Sequence, residues 1–444
     1  MDEQPNRQLE DGSRIAVIGG GPAGSFFSYF VLSMTELLGI EVKLDIYEPK
    51  DFSRPGPAGC NMCGGIVHES LVQILATEGI NLPPTVVQRG IDSHFMHLGV
   101  GDVRIETPLH EKRIGALHRG AGPRTVTERK WDGLDGHLLS LAEKQGANVI
   151  HERLAGISRD NGRLQIGTKG GTPEIYDLVV VAVGVNTAAL KLFETLDIGY
   201  KPPRTAKTYV REYYLGQEMV TKYMGSSVHV FLLNIPHLEF AALIPKGDYV
   251  TMCMIGDKID KEVIQSLLDT DEVRQTFPAD FPLEQESCQC SPRINVDGAE
   301  HPYGDRIVFI GDSGVTRFYK DGIGSAYRMA KAAASTVVFQ GISAADFEQH
   351  YLPLCRAHKT DNAIAKLIFG IVHQIQRWHF TRRAVVRMIT KEQNQSGGQQ
   401  RLSAMMWDMY TGSSPYREIL LRSMHPGFWA PFVWYCAVSL VTRR

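Results

Sequence analysis

Two cysteines with a spacing that can support chemistry lie in the first part of the sequence. Cys60 and Cys63 are separated by two residues inside the glycine-rich run GPAGCNMCGGIV, residues 56–67. This spacing suits a thiol–disulfide redox pair, half of a zinc site, or small residues on a loop that must lie close to a flat molecule. Cys288 and Cys290 form the other close pair, and their one-residue gap is not typical of zinc fingers. The neighbouring elements must therefore decide between these uses.

A glycine motif for binding a dinucleotide precedes the cysteines. Residues 15–18 are a short apolar run, and a helical pattern of apolar residues begins after the glycines. The turn between them has the form GxGxxG and consists of Gly19, Gly21, Pro22, Ala23 and Gly24 together with Gly20. The first glycine of the motif permits a tight turn, the second lets the backbone approach a pyrophosphate, and the third lets helix and strand pack closely. The phosphates would lie at the helix N-terminus, where free N–H groups favour anions.

An acidic residue at the end of the second predicted strand completes this half-site. The strand VKLDIYEP ends near Glu48, at the distance from the glycines where an acidic side chain accepts hydrogen bonds from ribose hydroxyls and repels a 2′-phosphate. Strand, glycines, helix and acid occur in the required order, which argues against a chance cluster of glycines. The half-site alone fits NAD and FAD equally well.

Charge and composition are those of a globular protein that does not bind nucleic acid. The chain has 444 residues and a formal net charge of −2, whereas nucleic-acid binding normally requires a basic surface. The charge is unevenly distributed. Residues 361–444 contain eleven Lys and Arg against four Asp and Glu, a net charge of +7, which leaves −9 on residues 1–360. A basic tail on an acidic body predicts a partner for the tail.

The N-terminal residues and the cysteines predict a cytoplasmic protein. The first thirteen residues are polar and include no apolar segment of a secretory signal. Seven cysteines, an odd number, do not form the pattern of a disulfide framework, and the thiols of a cytoplasmic protein stay mostly reduced. No metal site is predicted.

Two later segments resemble the FAD-binding features of the large flavoprotein superfamily that includes aromatic hydroxylases, halogenases and geranylgeranyl reductases. The first, at 174–187, is a buried-strand pattern that ends in Gly184. The second, at 305–335, is a strand, a Gly-Asp pair and a glycine-bearing turn into an alanine-rich helix. The residues of this second segment that match the superfamily are Gly311, Asp312, Gly322 and Gly324.

This resemblance implies that the dinucleotide is FAD. It also implies that Asp312 hydrogen-bonds the ribitol or ribose region of FAD, and that the helix after it points its N-terminus at the flavin. The alternative for Asp312 is a purely structural helix N-cap.

The segment TERKWDGLDGHLLSLAEKQGANVI is similar to a further element of the superfamily, in which an arginine approaches the phosphates of the flavin dinucleotide. Arg129 matches that arginine. Trp131 stands where phenylalanine is usual, and additional residues precede the helix. Either Asp132 or Asp135 can therefore match the aspartate of this element.

The loop that contains the cysteines resembles an element of the geranylgeranyl reductase branch. In that branch a Cys-Gly loop leads into a helix and lies beside the isoalloxazine ring. Cys63, Gly64 and Gly65 match it, with Cys60 as an addition. Small residues suit a position where a flat ring and a flat substrate both approach the backbone. We therefore interpret the segment as a flavin-side loop, with a redox-active pair and a structural turn as the alternatives.

The middle of the chain predicts a β-sheet over the active site, apolar on one face. AALIPKGDYVTMCMIG within it resembles a reductase element in which a tryptophan precedes Pro-Lys-Gly. Residues 245–247 keep Pro-Lys-Gly, but Ala241, Ala242 and Leu243 occupy the tryptophan positions. This departure weakens the assignment of an isoprenoid substrate, although small residues can also widen a lipid cavity. The WxWxIP element of the halogenases does not occur in the sequence.

Together these elements predict an α/β fold in which a Rossmann-type FAD-binding domain is interleaved with a β-sheet substrate domain and followed by a helical C-terminal region. Residues 14–190 form the first part of the FAD-binding domain, with a loop insertion at 50–125. Residues 195–300 form the substrate domain, and 301–345 close the FAD-binding domain. Residues 346–444 are the helical region with an apolar, basic tail.

The predicted function is flavin-mediated reduction, or the reverse dehydrogenation, of carbon–carbon double bonds in an isoprenoid or other lipid-like substrate. No side chain stands out as the proton source, and the candidate catalytic residues are Cys63, His68 and Tyr319. The electron donor would be NAD(P)H or a ferredoxin. The sequence contains no second GxGxxG motif after a strand, so no separate domain for binding NADPH is predicted. Two alternatives are a monooxygenase that hydroxylates or epoxidises its substrate, and a membrane-associated flavoprotein that passes electrons to quinone.

The C-terminal tail combines apolar, aromatic and basic residues. Residues 428–441 are almost wholly apolar, too short to span a bilayer as a helix, and interrupted by Pro431. Trp429 and Trp434 are of the type that favours a membrane interface, and two arginines follow the apolar stretch. The pattern predicts an interfacial anchor at the cytoplasmic face of a membrane, with a helix docked on its own chain or an oligomer contact as alternatives.

Overall fold

The computed structural model describes residues 8–61, 63–108, 114–124, 126, 130–285, 287–395 and 399–441. In these ranges the strands are β1 (Arg14–Ile18), β2 (Lys43–Tyr47), β3 (Ile66–Val67), β4 (Val87–Ile91), β5 (Ser93–His97), β6 (Asp102–Glu106), β7 (Ile114–Leu117), β8 (Asn148–Ile150), β9 (Leu154–Asp160), β10 (Arg163–Thr168), β11 (Glu174–Tyr176), β12 (Leu178–Val181), β13 (Thr205–Lys207), β14 (Tyr209–Tyr214), β15 (Ser227–Phe231), β16 (Leu238–Lys246), β17 (Tyr249–Gly256), β18 (Gln289–Cys290), β19 (Arg293–Asn295), β20 (Tyr303–Gly304) and β21 (Ile307–Phe309). The α-helices are α1 (Pro22–Leu38), α2 (Glu69–Thr77), α3 (Leu134–Lys144), α4 (Leu190–Phe193), α5 (Gln217–Tyr223), α6 (Lys261–Leu268), α7 (Asp271–Arg274), α8 (Gly322–Phe339), α9 (Ala344–His350), α10 (Leu352–Arg377), α11 (His379–Asn394), α12 (Arg401–Thr411), α13 (Tyr416–Ser423) and α14 (Pro426–Val441).

A six-stranded sheet forms the centre of the first layer. Its order is β20-β21-β12-β1-β2-β8, and its strands are parallel except β20, which pairs antiparallel with β21. β1 lies inside the sheet, where Ile15 and Val17 join one hydrophobic core and Ala16 and Ile18 join another. A strand buried on both faces is apolar along its length, which is why this segment is a continuous apolar run.

Helices and a small sheet cover the two faces of the six-stranded sheet. α1 and α8 pack against each other, and with α3 they share the core on one face. The antiparallel strands β9, β10 and β11 pack on the other face. The carboxyl ends of β1, β2, β12 and β21 meet at one edge, which is where ligands bind in open parallel sheets.

A seven-stranded sheet forms the second layer, in the order β18-β14-β17-β16-β15-β5-β6. Its pairs are antiparallel except for β15 and β5, which run parallel. The strands predicted for the middle of the chain are β15, β16 and β17. β5 and β6 come from the segment interpreted as a loop insertion, and they extend this sheet because β5 pairs with a strand more than a hundred residues away.

Both faces of the seven-stranded sheet are apolar, whereas the sequence predicted one apolar face. Val230 and Ala242 lie on the face that shares a core with the C-terminal helices. Phe231 and Leu243 lie on the opposite face, which is covered in part by α6. Because α6 covers part of this face, the strands carry apolar residues on both faces. The alternation between apolar and polar residues in their sequence is therefore weak.

Helices α10 to α14 form the C-terminal region. α11 packs against α14 and against β6, and α13 packs against α10. α14 continues through Pro431, which the sequence analysis had treated as an interruption. The proline lies in the second turn, so the helix loses the backbone hydrogen bond to the Gly427 carbonyl and continues beyond it. Across the described ranges, no helix is both long and apolar enough to cross a membrane. The predicted α/β fold with a helical C-terminal region is confirmed.

Candidate functional site

One cavity of about 580 Å³ runs between the two layers. At one end its walls are the carboxyl edge of the six-stranded sheet and the N-termini of α1 and α8. At the other end they are one face of the seven-stranded sheet and the helices α10, α12 and α13. We call the first part the dinucleotide end and the second part the apolar chamber. The cavity therefore joins a polar, glycine-rich site to an apolar one.

The structure explains two glycines of the GxGxxG turn by protein contacts alone. A β-carbon on Gly19 would lie 2.6 Å from the Ala182 carbonyl oxygen, and the residue has a φ of +107°. A β-carbon on Gly24 would lie 1.9 Å from the Gly19 carbonyl oxygen. These two positions are needed for the turn itself and for the close packing of α1 on β1.

Gly21 differs from the other two glycines because it leaves space toward the cavity. A β-carbon there would meet only the ends of the Arg119 and Asn61 side chains, at 3.7 and 3.8 Å. Its φ of −68° is accessible to any residue. Neither backbone strain nor protein packing requires a glycine here, so the missing side chain fits a ligand that approaches the backbone. Pro22 and Ala23 line the cavity beside it, and Pro22 opens α1.

Glu48 is buried at the end of β2 and lines the same part of the cavity. Its Oε2 accepts a hydrogen bond from the Gly20 N–H at 2.9 Å, and its Oε1 accepts one from the Lys50 N–H at 2.8 Å. Burial raises the pKa of the carboxyl, and these two bonds offset part of the rise. The side chain is thus fixed beside the glycine turn, where a ribose would lie.

Arg119 is the cation that faces Gly21, and the sequence analysis did not find it. Its Nε and Nη2 both donate to the Asp135 carboxylate, at 2.8 Å each. Asp135 is completely buried and also accepts a hydrogen bond from Asn61. Burial disfavours the charged form of Arg119 and by itself would lower its pKa. The ion pair with Asp135 outweighs this effect, so the pKa of Arg119 is raised.

The two aspartates considered for the arginine-bearing element lie in different surroundings. Asp135, in the first turn of α3, is connected to the site because it pairs with Arg119. The backbone N–H of Asp132 instead donates to the Thr85 carbonyl. Arg129, the arginine selected from the sequence, lies outside the described residues.

Two predicted glycines and one aspartate line the edge formed by β12 and β21. Gly184 and Gly311 both have positive φ, +69° and +60°, and both line the cavity. Asp312 follows in a short 3-10 helix, and its Oδ1 accepts a hydrogen bond from Thr316 Oγ1 at 3.0 Å. Burial raises the pKa of Asp312. Asp312 does not cap α8, because that helix begins ten residues later with Asp321 at its N-cap.

The N-terminus of α8 faces the cavity at Gly322 and is held by a buried charge cluster. Asp321 accepts hydrogen bonds from the Gly324 N–H at 3.1 Å and from Arg317 at 2.9 Å, and it also pairs with Arg328. A β-carbon on Gly324 would lie 2.1 Å from the Asp321 Oδ1, so this glycine serves the cap. Asp321 was not among the residues selected from the sequence.

His68, a candidate catalytic residue, lies behind this cluster and does not line the cavity. Its Nδ1 accepts a hydrogen bond from the Leu71 N–H at 3.1 Å, as the N-cap of α2. The Nε2 must then carry the proton, and it donates to Asp321 at 3.0 Å. His68 therefore connects the N-termini of α2 and α8.

The other two candidates, Cys63 and Tyr319, do line the cavity. Tyr319 has a φ of +60°, and its ring packs against Phe318 and Phe369. Burial raises the pKa of Tyr319 to about 12, so its hydroxyl is protonated at neutral pH. The Sγ of Cys63 accepts a weak hydrogen bond from the Gly65 N–H at 3.3 Å. Their catalytic roles stay predictions.

Both cysteines of the CxxC segment are thiols in the structure. Cys60 interacts with Lys50 through its carbonyl oxygen, at 2.8 Å from Nζ, whereas Cys63 presents its side chain to the cavity. We expect Cys60→Ser to keep most of the activity and Cys63→Ser to reduce it. Titration of free thiols in the resting protein is the check. Equal, complete loss in both variants, with two thiols fewer in the wild type, would identify a redox pair instead.

Two further cations line the cavity close to the start of α8, Arg317 and Lys320. The Lys320 amine donates to the Asp408 and Ser414 carbonyls, each at 3.1 Å, and lies 3.9 Å from the centre of the Tyr416 ring. Burial lowers the pKa of Lys320 to about 7. Neither residue belongs to a recognisable motif, so the sequence offered no signal for them.

The apolar chamber is lined by alternate residues of the seven-stranded sheet. They are Val228, Val230, Phe240, Ala242, Ile244 and Cys253. Phe369 of α10 and Met409 of α12 add apolar surface on the opposite side. Of the three residues at the tryptophan positions, only Ala242 lines the cavity. The small side chain at this position therefore enlarges the chamber.

No protein-family model matches the chain. A geranylgeranyl diphosphate reductase from Synechocystis is 27% identical to it over 354 residues, which cover 73% of this chain and 75% of that protein. The chain resembles a geranylgeranyl reductase. The resemblance predicted from the cysteine loop and the Gly-Asp segment is confirmed.

Solved structures show the same fold at lower identity. A geranylgeranyl bacteriochlorophyll reductase-like protein from Thermoplasma acidophilum aligns with a TM-score of 0.64 and 13% identity, over 94% of this chain and 99% of that one. A flavoprotein/dehydrogenase from Cytophaga hutchinsonii aligns with a TM-score of 0.59 and 13% identity, over 90% and 93%. A variant of the halogenase PltM in complex with FAD aligns with a TM-score of 0.58 and 11% identity, over 98% and 92%.

Proposed function

We propose that this protein is an FAD-dependent oxidoreductase that reduces, or in reverse dehydrogenates, carbon–carbon double bonds of an isoprenoid or lipid-like substrate. The observation that carries the proposal is the single cavity that joins the glycine-rich dinucleotide end to the apolar chamber. A cofactor and an apolar substrate bound in these two parts would meet at their junction. The similarity to a geranylgeranyl diphosphate reductase supports this class of substrate.

The residues of the dinucleotide end suit FAD. The turn with Gly21 and the N-terminus of α1 would hold the pyrophosphate, with Arg119 as its cation. Glu48 would accept hydrogen bonds from ribose, and Asp312 from the ribitol chain. When bound, FAD supplies hydride transfer, a reaction that no protein side chain can perform. The protein holds these groups in fixed positions through the buried bonds to Asp135 and Gly20.

The chamber would exclude water and orient the substrate. Its walls are aliphatic and aromatic side chains, which favour an apolar chain and offer few hydrogen-bonding groups. Burial keeps the Tyr319 hydroxyl protonated, and Tyr319 lines the cavity, so we assign it as the donor of a proton to a substrate carbon. Cys63 faces the same space from the flavin-side loop.

Anaerobic turnover tests this function against the alternatives. Purified protein would be reduced with dithionite and mixed with a prenyl lipid in the absence of oxygen, so that the natural electron donor is not needed. The proposal expects a product that has gained two hydrogen atoms, as measured by mass spectrometry. A product that appears only in air and has gained oxygen would identify a monooxygenase. Rapid reduction of a quinone dye with no change in any lipid would favour an electron-transfer flavoprotein.

Ala242→Trp tests the assignment of the chamber. The larger ring would fill space that Ala242 leaves open, so binding of a long prenyl chain should weaken by roughly tenfold or more. FAD content should stay that of the wild type, because Ala242 lies outside the dinucleotide end. Ala242→Val serves as the control and should have a smaller effect. Unchanged affinity for the long substrate in Ala242→Trp would show that the substrate binds elsewhere.

A further inference from the structure

Two residues that line the apolar chamber each carry a buried polar atom that has no hydrogen-bond partner among the described residues. These atoms are Nδ1 of His94, in β5, and the hydroxyl oxygen of Tyr410, in α12. Both residues line the cavity, and His94 is 1% exposed. Buried polar groups are almost always hydrogen-bonded, so these two unpaired atoms require an explanation.

The surroundings fix both rings in place. The His94 imidazole stacks on the indole of Trp407 with 4.7 Å between ring centres, and it meets the Tyr410 ring edge-on at 6.4 Å. The Tyr410 ring also packs against Phe240 at 5.4 Å. These contacts are made by ring faces and edges, and they leave the polar atoms without a partner.

Burial also decides which protons the two groups carry. It lowers the pKa of His94 to about 3, so the imidazole is neutral at physiological pH. It raises the pKa of the Tyr410 hydroxyl, which therefore keeps its proton and can donate it. A neutral pair of this kind suits an uncharged polar atom and would not balance the charge of a phosphate.

We infer that His94 and Tyr410 form a subsite for one uncharged hydroxyl group of an otherwise apolar substrate. A hydroxyl group can accept a hydrogen bond from Tyr410 and donate one to His94 Nδ1, so its chemistry complements both atoms. A pure hydrocarbon satisfies neither. The inference rests on the proposed function, since it takes the apolar chamber as the substrate site, and it adds that the substrate is a prenyl alcohol or a lipid with a free hydroxyl.

Binding of two matched probes to the flavin-loaded protein tests this subsite. The probes are farnesol and the hydrocarbon of the same carbon skeleton without the hydroxyl, measured by the shift of the flavin spectrum and by thermal stabilisation. The wild type should bind the alcohol roughly tenfold more tightly than the hydrocarbon. Tyr410→Phe and His94→Phe should each bring the two affinities close together. Two variants are used because the stacked His94 ring contributes to packing.

Tyr213→Phe is the matched control. The Tyr213 hydroxyl is also buried without a partner, but the residue belongs to the core on the other face of the seven-stranded sheet. This variant should keep the preference for the alcohol. Equal affinities in the wild type, or a preference that survives Tyr410→Phe, would overturn the subsite while the proposed function stands. Failure of both probes to bind would reject the apolar substrate class and the subsite with it.

A second inference rests on a different observation, the exposed face of α14. Exposed residues recur at helical spacing along it, and all of them are apolar. They are Trp429, Ala430, Val433, Trp434, Ala437, Leu440 and Val441. Phe428 and Phe432, on the opposite side, are buried in the core shared with the other C-terminal helices. A helix that is apolar all round fits an environment that is apolar on both sides.

Basic side chains lie beside both ends of α14. Arg387 Nη1 donates to Ser439 Oγ at 3.2 Å, near the end of α14. Arg401 lies beside Gly427 in the first turn of α14. Its Nε is 3.3 Å from the position that a β-carbon on this glycine would occupy. Residues 423–444 contain no acidic residue. Apolar aromatic side chains beside cations complement an anionic lipid surface.

We propose that α14 docks the protein on the surface of an anionic phospholipid bilayer. α10, α12 and α13, which line the apolar chamber, belong to the same C-terminal region, so a docked protein would have this region at the membrane. Co-sedimentation with vesicles of phosphatidylcholine, with and without phosphatidylserine, is the test. Binding should require phosphatidylserine, decrease with salt, and weaken roughly tenfold in Trp434→Asp and in Val433→Asp.

Point substitutions are preferable to deletion of the helix, because deletion would expose the partners of Phe428 and Phe432. Leu37→Asp is the control, since Leu37 is 87% exposed on α1 and should not affect vesicle binding. Wild-type protein that ignores anionic vesicles at low salt would overturn the proposal. So would a dimer in sedimentation analysis that Trp434→Asp dissociates, because the face would then bind a second copy.

Discussion

Replacing Gly21 with valine is expected to give a folded protein that holds no flavin. The β-carbon of the new side chain would meet only the ends of Arg119 and Asn61, at ordinary contact distances, so the protein itself does not exclude it. It would occupy the space through which a pyrophosphate approaches the backbone. We therefore expect a colourless protein whose free energy of unfolding stays within about 1 kcal/mol of the flavin-free wild type. Absorbance and urea unfolding measure the two quantities.

Gly24→Ala is the matched comparison. We expect it to destabilise the fold, whereas Gly21→Val leaves the fold stable and removes the flavin. The single methyl group of the alanine would lie 1.9 Å from the Gly19 carbonyl oxygen, which belongs to the backbone and cannot move aside. We expect a loss of stability of about 3 kcal/mol or more, the upper range for overpacking. A stable Gly24→Ala protein, or a Gly21→Val protein that keeps its full flavin content, would contradict this account of the turn.

Loss of Asp321 should destabilise the protein most among the charged residues of the site. Its buried carboxylate holds Arg317, Arg328, His68 and the Gly324 N–H. Removing one partner of a buried ion pair typically costs about 3–5 kcal/mol, because the remaining charges stay buried without compensation. Asp321→Ala should therefore lower the free energy of unfolding by about that amount. It should also weaken flavin binding, since the N-terminus of α8 loses its cap.

Asp260→Ala provides the control. Asp260 also caps a helix, α6, by accepting from the Val263 N–H at 3.1 Å, but it lies outside the cavity. This variant should show only the small loss that is typical of a helix cap and should keep its flavin. An Asp321→Ala protein no less stable than Asp260→Ala would refute the proposed role of the cluster.

The same aspartate predicts a dependence of stability on pH. Burial alone would raise the pKa of Asp321, but its pairs with Arg328, His68 and Arg317 lower it below the ordinary value. A carboxyl with a depressed folded-state pKa binds more protons when unfolded. Its contribution to stability is therefore complete above its unfolded pKa of about 3.9 and is lost as pH falls toward the folded-state pKa. In acid, the wild type should lose stability more steeply than Asp321→Asn.

The parts of the site that depend on local sequence could be predicted. Gly19, Gly21 and Gly24 lie between a strand and a helix that are adjacent in the chain, so their spacing alone indicates a phosphate-binding turn. Asp312 was selected because the strand and Gly-Asp pair that contain it resemble an element of the flavoprotein superfamily. Each of these positions lines the cavity or supports its wall.

The parts that depend on contacts between distant segments could not be predicted. Arg119 pairs with Asp135, which lies sixteen positions further along the chain and belongs to no motif shared with it. His68 was a candidate for the proton source, yet its hydrogen-bond partner is Asp321, 253 positions away. His94 lies on a strand that enters the second sheet only through parallel pairing with β15. Local periodicity carries no information about such partners.

The nature and amount of the bound nucleotide test the central claim most directly. The purified protein would be denatured, and the released cofactor would be identified by chromatography and mass spectrometry and compared with the protein concentration. The account predicts FAD at one molecule per chain, or stoichiometric uptake when FAD is added to flavin-free protein. Release of NAD alone, or failure to take up FAD at micromolar concentrations, would contradict it.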